Sequence, residues 1–247
     1  MHDAIILSDL HLGSAVCRAD ALRSFLESIH AGELTAERLI LNGDVFDGYD
    51  LRRLRPSHWE VLAMIRDLSL RMDVVWLCGN HDGPADRASQ ILGTPVETEY
   101  VFRSGTDRVM VLHGDLFDDF IAAHPRFTHV ADWFYRGLQR VDPTHVLARI
   151  AKHRSKVFLR ATGKIAASAI EYAEANGCDV VCCGHTHFPV SREARGVRYY
   201  NSGCWTETPC HYLTVLDGEV RTHAVEPTRK VEVTVPTASE EPATAAV

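Results

Sequence analysis

The sequence predicts an α/β fold in which a buried sheet carries a polar site along the carboxyl ends of its strands. Three observations predict it. Short apolar runs alternate with helix-period segments through the first half of the chain. Five of these runs each stop at a cluster containing Asp, Asn or His. The runs are also apolar without interruption, so both faces of the sheet must be covered.

The elements follow in order. Ala4-Ile5-Ile6-Leu7 reads as a buried strand ending in Ser8-Asp9-Leu10-His11, and a helix is predicted over Ala19 to His30. Arg38-Leu39-Ile40-Leu41 is the second strand, ending in Asn42-Gly43-Asp44. Val61, Ile65 and Leu68 recur at helix spacing, which predicts a helix from about Ser57 to Leu70. Val74-Val75-Trp76-Leu77 ends in Gly79-Asn80-His81-Asp82, and Val109-Met110-Val111-Leu112 ends in His113-Gly114-Asp115. The fifth strand, Val180-Val181-Cys182-Cys183, ends in Gly184-His185-Thr186-His187. In open α/β sheets ligands bind beyond the carboxyl ends of the strands, so one sheet could bring all five clusters to one rim. After His187 the pattern changes to short strands at Val197–Tyr200, Tyr212–Leu216 and Val220–Val225, with a hairpin signal at Asp217-Gly218. These predict a second sheet packed on the first.

The stretch between the fourth and fifth strands is longer than a simple crossover needs, and a helical insertion is expected over about 117–176. Phe127, Val130, Phe134 and Leu138 form one apolar stripe, and Asp142-Pro143 has the form of a helix start. Arg149, His153, Lys156, Arg160 and Lys164 then recur on one side. That basic stripe could meet a diphosphate or an anionic membrane surface, but a solvated helix face explains it more simply. The domain is expected to cover 1–226, and residues 227–247, rich in Thr, Pro, Ala and Glu, read as a disordered tail.

Composition narrows the function. The 247 residues carry a formal net charge of −7, so no nucleic-acid partner is expected. Fourteen histidines raise the prospect of a metal site. The seven cysteines form no paired framework and no C-x-x-C, which points to reduced, buried thiols rather than disulfides or structural zinc. Neither a signal peptide nor a membrane-spanning run is evident, so a cytoplasmic protein is expected, at most peripheral on the inner face of the membrane.

The strand-end clusters have chemistry in common. Residues two apart in extended chain project to one side, so Asp9-x-His11 and His185-x-His187 can each offer two ligands to one centre. Mixed carboxylate and imidazole donors suit manganese, iron or zinc. Asp44 follows a glycine that permits a tight turn, and its two oxygens could bridge two ions.

In family order these blocks stand as Asp9-Leu10-His11, Gly43-Asp44-Val45-Phe46-Asp47, Gly79-Asn80-His81-Asp82, His113-Gly114 and Gly184-His185-Thr186-His187. The series resembles the calcineurin-like metallophosphoesterase superfamily. The resemblance implies a four-layer αββα sandwich and two divalent ions, with manganese expected first. Asp9, His11 and His187 would hold one ion, Asn80, His113 and His185 the other, and Asp44 would bridge them. It implies in-line attack of a metal-bound hydroxide on a phosphodiester or pyrophosphate bond. His81 would stabilise phosphoryl oxygens or protonate the leaving oxygen, with Asp82 orienting its ring, while Asp47 would hydrogen-bond near the site.

Gly43 to Asp47, the segment after His113, Gly184 to Pro189, and Tyr199 to Glu207 are similar to UDP-2,3-diacylglucosamine hydrolases, which cleave a lipid A precursor. The chain departs from them at His81, where well-characterised members carry Arg. The substrate expected is a small-molecule or lipid-linked phosphate, with the UDP-2,3-diacylglucosamine pyrophosphate as the leading candidate and a nucleotide or other small phosphoester as the alternative. A scaffold that has lost catalysis would show eroded ligands, and here the ligand set is whole. Oligomeric state is not legible.

Overall fold

The structure, a computed structural model, describes residues 1–82, 89–90, 93–118 and 156–225. In chain order its elements are β1 (His2–Leu7), α1 (Ala19–His30), β2 (Ala36–Asn42), α2 (Pro56–Leu68), β3 (Asp73–Leu77), β4 (Val96–Glu97), β5 (Glu99–Ser104) and β6 (Asp107–Leu112). These are followed by α3 (Lys156–Ala175), β7 (Val180–Cys183), β8 (Val190–Ala194), β9 (Val197–Asn201), β10 (Cys210–Leu216) and β11 (Glu219–Val225). Short 3-10 turns cover Leu51–Arg53 and Asp115–Phe117.

The strands form two sheets, ordered β11-β10-β1-β2-β3-β4 and β5-β6-β7-β9-β8. The five ligand-bearing strands are thus divided, three in one sheet and two in the other, rather than lining the rim of one. Within each sheet they run parallel: β1 with β2, β2 with β3, and β6 with β7. The two sheets lie face to face, so the carboxyl ends of both still meet at one edge of the molecule.

Each layer has its own apolar contact. Ile5, Leu7, Leu39, Leu41 and Trp76 pack under Leu22, Phe25, Leu26 and Ile29 of α1 and Val61, Leu62, Ile65 and Leu68 of α2. Ala4, Ile6, Ile40, Val75 and Leu77 face Phe102, Val109, Val111, Val180 and Cys182 across the gap between the sheets. Met110, Leu112, Val181, Cys183 and Tyr199 turn the other way, onto Ala166, Ala169, Ile170 and Ala173 of α3. Alternation along each strand therefore feeds two different apolar layers, which is why these strands read as unbroken hydrophobic runs. The result is the αββα layering. Each fully buried Leu, Ile or Val contributes roughly 1.5–3 kcal/mol relative to exposure, and Ile5, Ile6, Leu39 and Ile40 are all at 0 % exposure.

The later strands depart from expectation. The hairpin at Asp217-Gly218 forms, but β10 pairs antiparallel with β1 and extends the first sheet. Of the three late strands only β9 joins the second sheet, parallel to β7. Strands β4, β5 and β8 were not expected. β8 is mostly exposed and β5 carries exposed Val101 and Arg103, so neither shows a buried apolar run.

Of the span expected as a helical insertion, the 3-10 turn and α3 are described. Helix α3 packs on the outer face of the second sheet as the crossover between parallel β6 and β7. The apolar stripe from Phe127 to Leu138, Arg149, His153 and the tail 227–247 lie outside the described residues. Among the described residues no helix is long and apolar enough to cross a membrane. All seven cysteines are thiols, and six of them are buried.

Candidate metal centre

The site is built where strands end abruptly. Asp9 and His11 follow β1, Asp44 follows β2, and His185 and His187 follow β7, and all five hold positive φ: 55°, 49°, 53°, 64° and 58°. Non-glycine residues rarely adopt this left-handed conformation, and it persists only where the surroundings enforce it. Here backbone hydrogen bonds do so. Asp9 and His11 donate to the carbonyls of Gly43 and Asp44 at 3.0 and 2.9 Å, and Leu12 donates to Val45 at 2.8 Å. The first two loops therefore run side by side. The N–H of Gly184 donates to the carbonyl of His113 at 3.0 Å, joining the two loops of the second sheet. Asp9 connects the sheets: its Oδ2 accepts the His185 N–H at 2.9 Å, and its carbonyl accepts the Trp205 N–H at 3.1 Å.

Two glycines are required by close approach. A Cβ on Gly43 would stand 2.3 Å from His113 Nδ1, and one on Gly79 would stand 2.3 Å from Asp44 Oδ1. The glycines before Asp44 and Asn80 thus let neighbouring ligand loops touch.

The side chains converge. His187 Nε2 lies 3.1 Å from both Asp9 Oδ1 and His11 Nε2. Asp44 Oδ2 lies 3.7 Å from His11 Nε2 and 3.4 Å from His113 Nε2, between two groups of donors. Asn80 Oδ1 meets His185 Nδ1 at 3.1 Å. All seven residues expected as ligands are thus brought together. Asp9–His11–His187 and Asp9–Asp44–His113 each place their ligand atoms within 4.8 Å of one another. Asp9 Oδ1 and His113 Nε2 are buried without a hydrogen bond of good geometry. Such orphaned atoms are costly unless a cation completes them.

The electrostatics agree. Burial pushes the Asp9 carboxyl up, but His187, His113 and His11 outweigh it and hold the group well below the usual carboxylate range. Burial alone would lower His113; the facing carboxylates of Asp44 and Asp9 instead raise it to about 10. The buried carboxylates and the histidines facing them thus favour one another's charged forms.

The model of the calcineurin-like phosphoesterase family matches residues 4–189, from the first strand through the last ligand motif. The chain belongs to the calcineurin-like phosphoesterases. That family is metal-dependent, in keeping with the cluster of donors at the strand ends. It is 27 % identical over 230 residues to the DNA polymerase II small subunit of Halobacterium salinarum, covering 82 % of this chain and 43 % of that protein. The chain therefore spans less than half the length of the curated relatives it matches. Among solved structures it resembles a hypothetical protein of Pyrococcus horikoshii, at 11 % identity and a TM-score of 0.52 over 92 % of this chain and 89 % of that one. It also resembles an archaeal phosphodiesterase, at 15 % identity and a TM-score of 0.50 over 90 % and 98 %. Both likenesses show the fold.

In this calcineurin-like phosphoesterase the residues around the ligands have distinct places. His81 is exposed at the mouth, its ring centroid 5.0 Å from that of His11, and its N–H donates to Asp44 Oδ1 at 2.8 Å. Asp82 does not orient the His81 ring as expected. It is buried, and its two oxygens accept the N–H groups of Phe46 and Gly79 at 2.8 and 3.0 Å. The turn at Gly79 points this carboxylate inward while His81 faces out, so Asp82 braces the loop instead. Asp47 does lie beside the site, with Oδ1 3.3 Å from His11 Nδ1, and it is itself paired with Arg53 at 2.6 Å.

Of the basic stripe, Arg160 and Lys164 sit on the exposed face of α3 while Ile165, Ala166 and Ala169 pack inward. This is the pattern of an ordinary amphipathic crossover helix. Lys156 begins that helix.

Two contributors carried little sequence signal. Thr206 Oγ1 lies 3.4 Å from His187 Nδ1, and Asn201 accepts the Gly203 N–H at 3.0 Å and donates to the Gly184 carbonyl behind the last motif. Both fall in the Tyr199–Glu207 stretch that the sequence singled out without roles.

Proposed function

We propose that the chain hydrolyses a phosphodiester or pyrophosphate bond with two divalent ions, manganese being the first to test. Asp9, His11 and His187 would hold one ion, Asn80, His113 and His185 the other, with Asp44 shared. The observation that carries this reading is Asp44 Oδ2 standing between His11 Nε2 and His113 Nε2, one from each donor group. The buried, unsatisfied Asp9 Oδ1 and His113 Nε2 fit a resident cation pair. Divalent ions held there supply Lewis acidity to a phosphoryl group and to water. The chain's own part is to orient them and exclude other geometries. His81, exposed beside the centre, would protonate the leaving oxygen.

Within this class the leading substrate is a lipid-linked nucleotide pyrophosphate of the UDP-2,3-diacylglucosamine kind, on the strength of the motifs at Gly43–Asp47, Gly184–Pro189 and Tyr199–Glu207. A second reading, cleavage of a nucleic-acid phosphodiester, is favoured by the similarity to the DNA polymerase II small subunit.

Purified protein with Mn²⁺ is expected to hydrolyse bis(p-nitrophenyl) phosphate, and Asp44→Ala to abolish this. Full activity in Asp44→Ala would refute the assignment. UDP-2,3-diacylglucosamine and a labelled single-stranded oligonucleotide, assayed side by side, separate the substrates: UMP release supports the first reading and shortened oligonucleotide the second.

A further inference from the structure

The four histidines of the centre do not present the same ring nitrogen. His11, His113 and His187 turn Nε2 inward, toward Asp44 or Asp9. Each has an oxygen outward of Nδ1, hydrogen-bonded for His113 and His187 and a close carboxylate for His11. That oxygen is Asp47 Oδ1 at 3.3 Å for His11, the Asn42 carbonyl at 2.9 Å for His113, and Thr206 Oγ1 at 3.4 Å for His187. His185 is reversed. Its Nδ1 faces Asn80 Oδ1 at 3.1 Å, and its Nε2 faces Asp118 Oδ2 at 3.0 Å.

A neutral imidazole has one N–H and one lone pair, and a ligating histidine must aim the lone pair at the ion. Which nitrogen ligates is set by the hydrogen bond on the other. The reversal at His185 therefore needs a firm acceptor at Nε2.

Asp118 is fixed for that task. Gly114, at φ +108°, turns the chain immediately after His113. The 3-10 turn Asp115–Phe117 follows, closed by the Asp118 N–H on the Asp115 carbonyl at 3.0 Å. Phe117 anchors the turn against Tyr172 of α3, with ring centroids 5.8 Å apart, and the Tyr172 hydroxyl donates to Glu99 at 2.8 Å. The carboxylate is largely buried beside His185, with side-chain exposures of 12 % and 11 %.

We propose that Asp118 is a positioning residue that selects the His185 tautomer, holding the proton on Nε2 so that Nδ1 is the metal-binding nitrogen. The proposal rests on the two-ion reading. It predicts that Asp118 governs one ion and leaves the other alone, because His185 belongs only to the group with Asn80 and His113.

The test is calorimetric Mn²⁺ titration of the full chain, wild type against Asp118→Ala and Asp118→Asn. Asn retains an acceptor oxygen for Nε2–H. In Asp118→Ala one of the two ions is expected to lose about 10- to 100-fold in affinity, while the other binds as in wild type and Asp118→Asn loses much less. Long-range ¹⁵N–¹H correlation of the Zn²⁺-loaded protein is expected to show His185 protonated on Nε2 in wild type and Asp118→Asn. Two ions bound by Asp118→Ala with wild-type affinities would overturn the proposal and leave the two-ion reading intact. A wild-type protein that binds fewer than two ions would overturn both. Equal loss of both ions in Asp118→Ala, or Nδ1 protonation of His185 in the loaded wild type, would also contradict it.

Discussion

The carboxylate of Asp82 accepts the backbone N–H of Phe46 at 2.8 Å, tying the loop of Asn80 and His81 to the loop of Asp44. Its other oxygen takes the N–H of Gly79 at 3.0 Å, so one buried side chain sets the spacing of two ligand loops. Burial raises the Asp82 carboxyl to about 6, against the two amides that favour its charge. Asp82→Ala strands two buried donors and is expected to cost about 1–3 kcal/mol of stability, with weaker binding of the ion at Asn80. Chemical denaturation and Mn²⁺ titration of the variant check both. An unchanged Mn²⁺ isotherm would show that Asp82 does not set the loop.

His81 should behave differently. It is exposed and its backbone, rather than its ring, is what contacts Asp44. His81→Ala is expected to bind metal as wild type does while kcat falls roughly 10²- to 10⁴-fold, the usual range for a lost general acid. The loss should be smaller for a substrate whose leaving group needs no proton, such as a p-nitrophenyl ester. Steady-state kinetics on activated and unactivated substrates makes the comparison.

Gly79 is a sharper structural test. A methyl group there would fall 2.3 Å from Asp44 Oδ1 and 2.4 Å from the Asp44 backbone nitrogen. Backbone cannot yield cheaply, so Gly79→Ala must push the loops apart. The expected outcome is loss of metal binding, measured by calorimetry, together with a lowered Tm. Ala at Gly196, where nothing lies within 4 Å but φ is +77°, is expected to disturb stability alone.

Away from the centre, His58 gives a pH prediction. It is fully buried at the start of α2, and its Nδ1 accepts the N–H groups of Gly13 and Arg55 at 3.1 and 3.2 Å. Burial, with the nearby charge of Arg55, lowers its pKa below 6.5. The unfolded chain therefore takes up this proton more readily than the folded one. The stability His58 contributes is present above its unfolded value and is lost as pH falls through the folded one. Tm measured from neutral pH down through pH 5 is expected to fall less steeply in His58→Asn, whose Oδ1 can replace Nδ1 as acceptor. Parallel curves for the two proteins would contradict this.

How much of this was legible in the sequence follows from what each residue must satisfy locally. The ends of β1, β2, β3, β6 and β7 could be read because an apolar run meeting Asp or His marks a boundary whatever lies beside it. Their division between two sheets could not, because Ile6 facing Val109 across the gap and Ile6 facing a helix leave the same letter in the sequence. Strand β8, Val190–Ala194, is nearly all exposed, so it has no apolar period to detect. The left-handed turns at Asp9, His11, Asp44, His185 and His187 were equally hidden, since propensity argues against them and only tertiary hydrogen bonds impose them. The seven residues expected as ligands were legible as a motif series, and the structure gathers their side chains. The carboxylates behind them were legible only in part: Asp47 was placed correctly near His11, whereas Asp82 turned inward to the backbone.

The central claim is that Asp44 is shared by two ions, each completed by its own three residues. Anomalous diffraction from crystals of the Mn²⁺-loaded protein tests it most directly. The account predicts two peaks on either side of the Asp44 carboxylate, one contacted by Asp9, His11 and His187 and the other by Asn80, His113 and His185. A single peak, or a second peak lacking contact with Asp44, would contradict it.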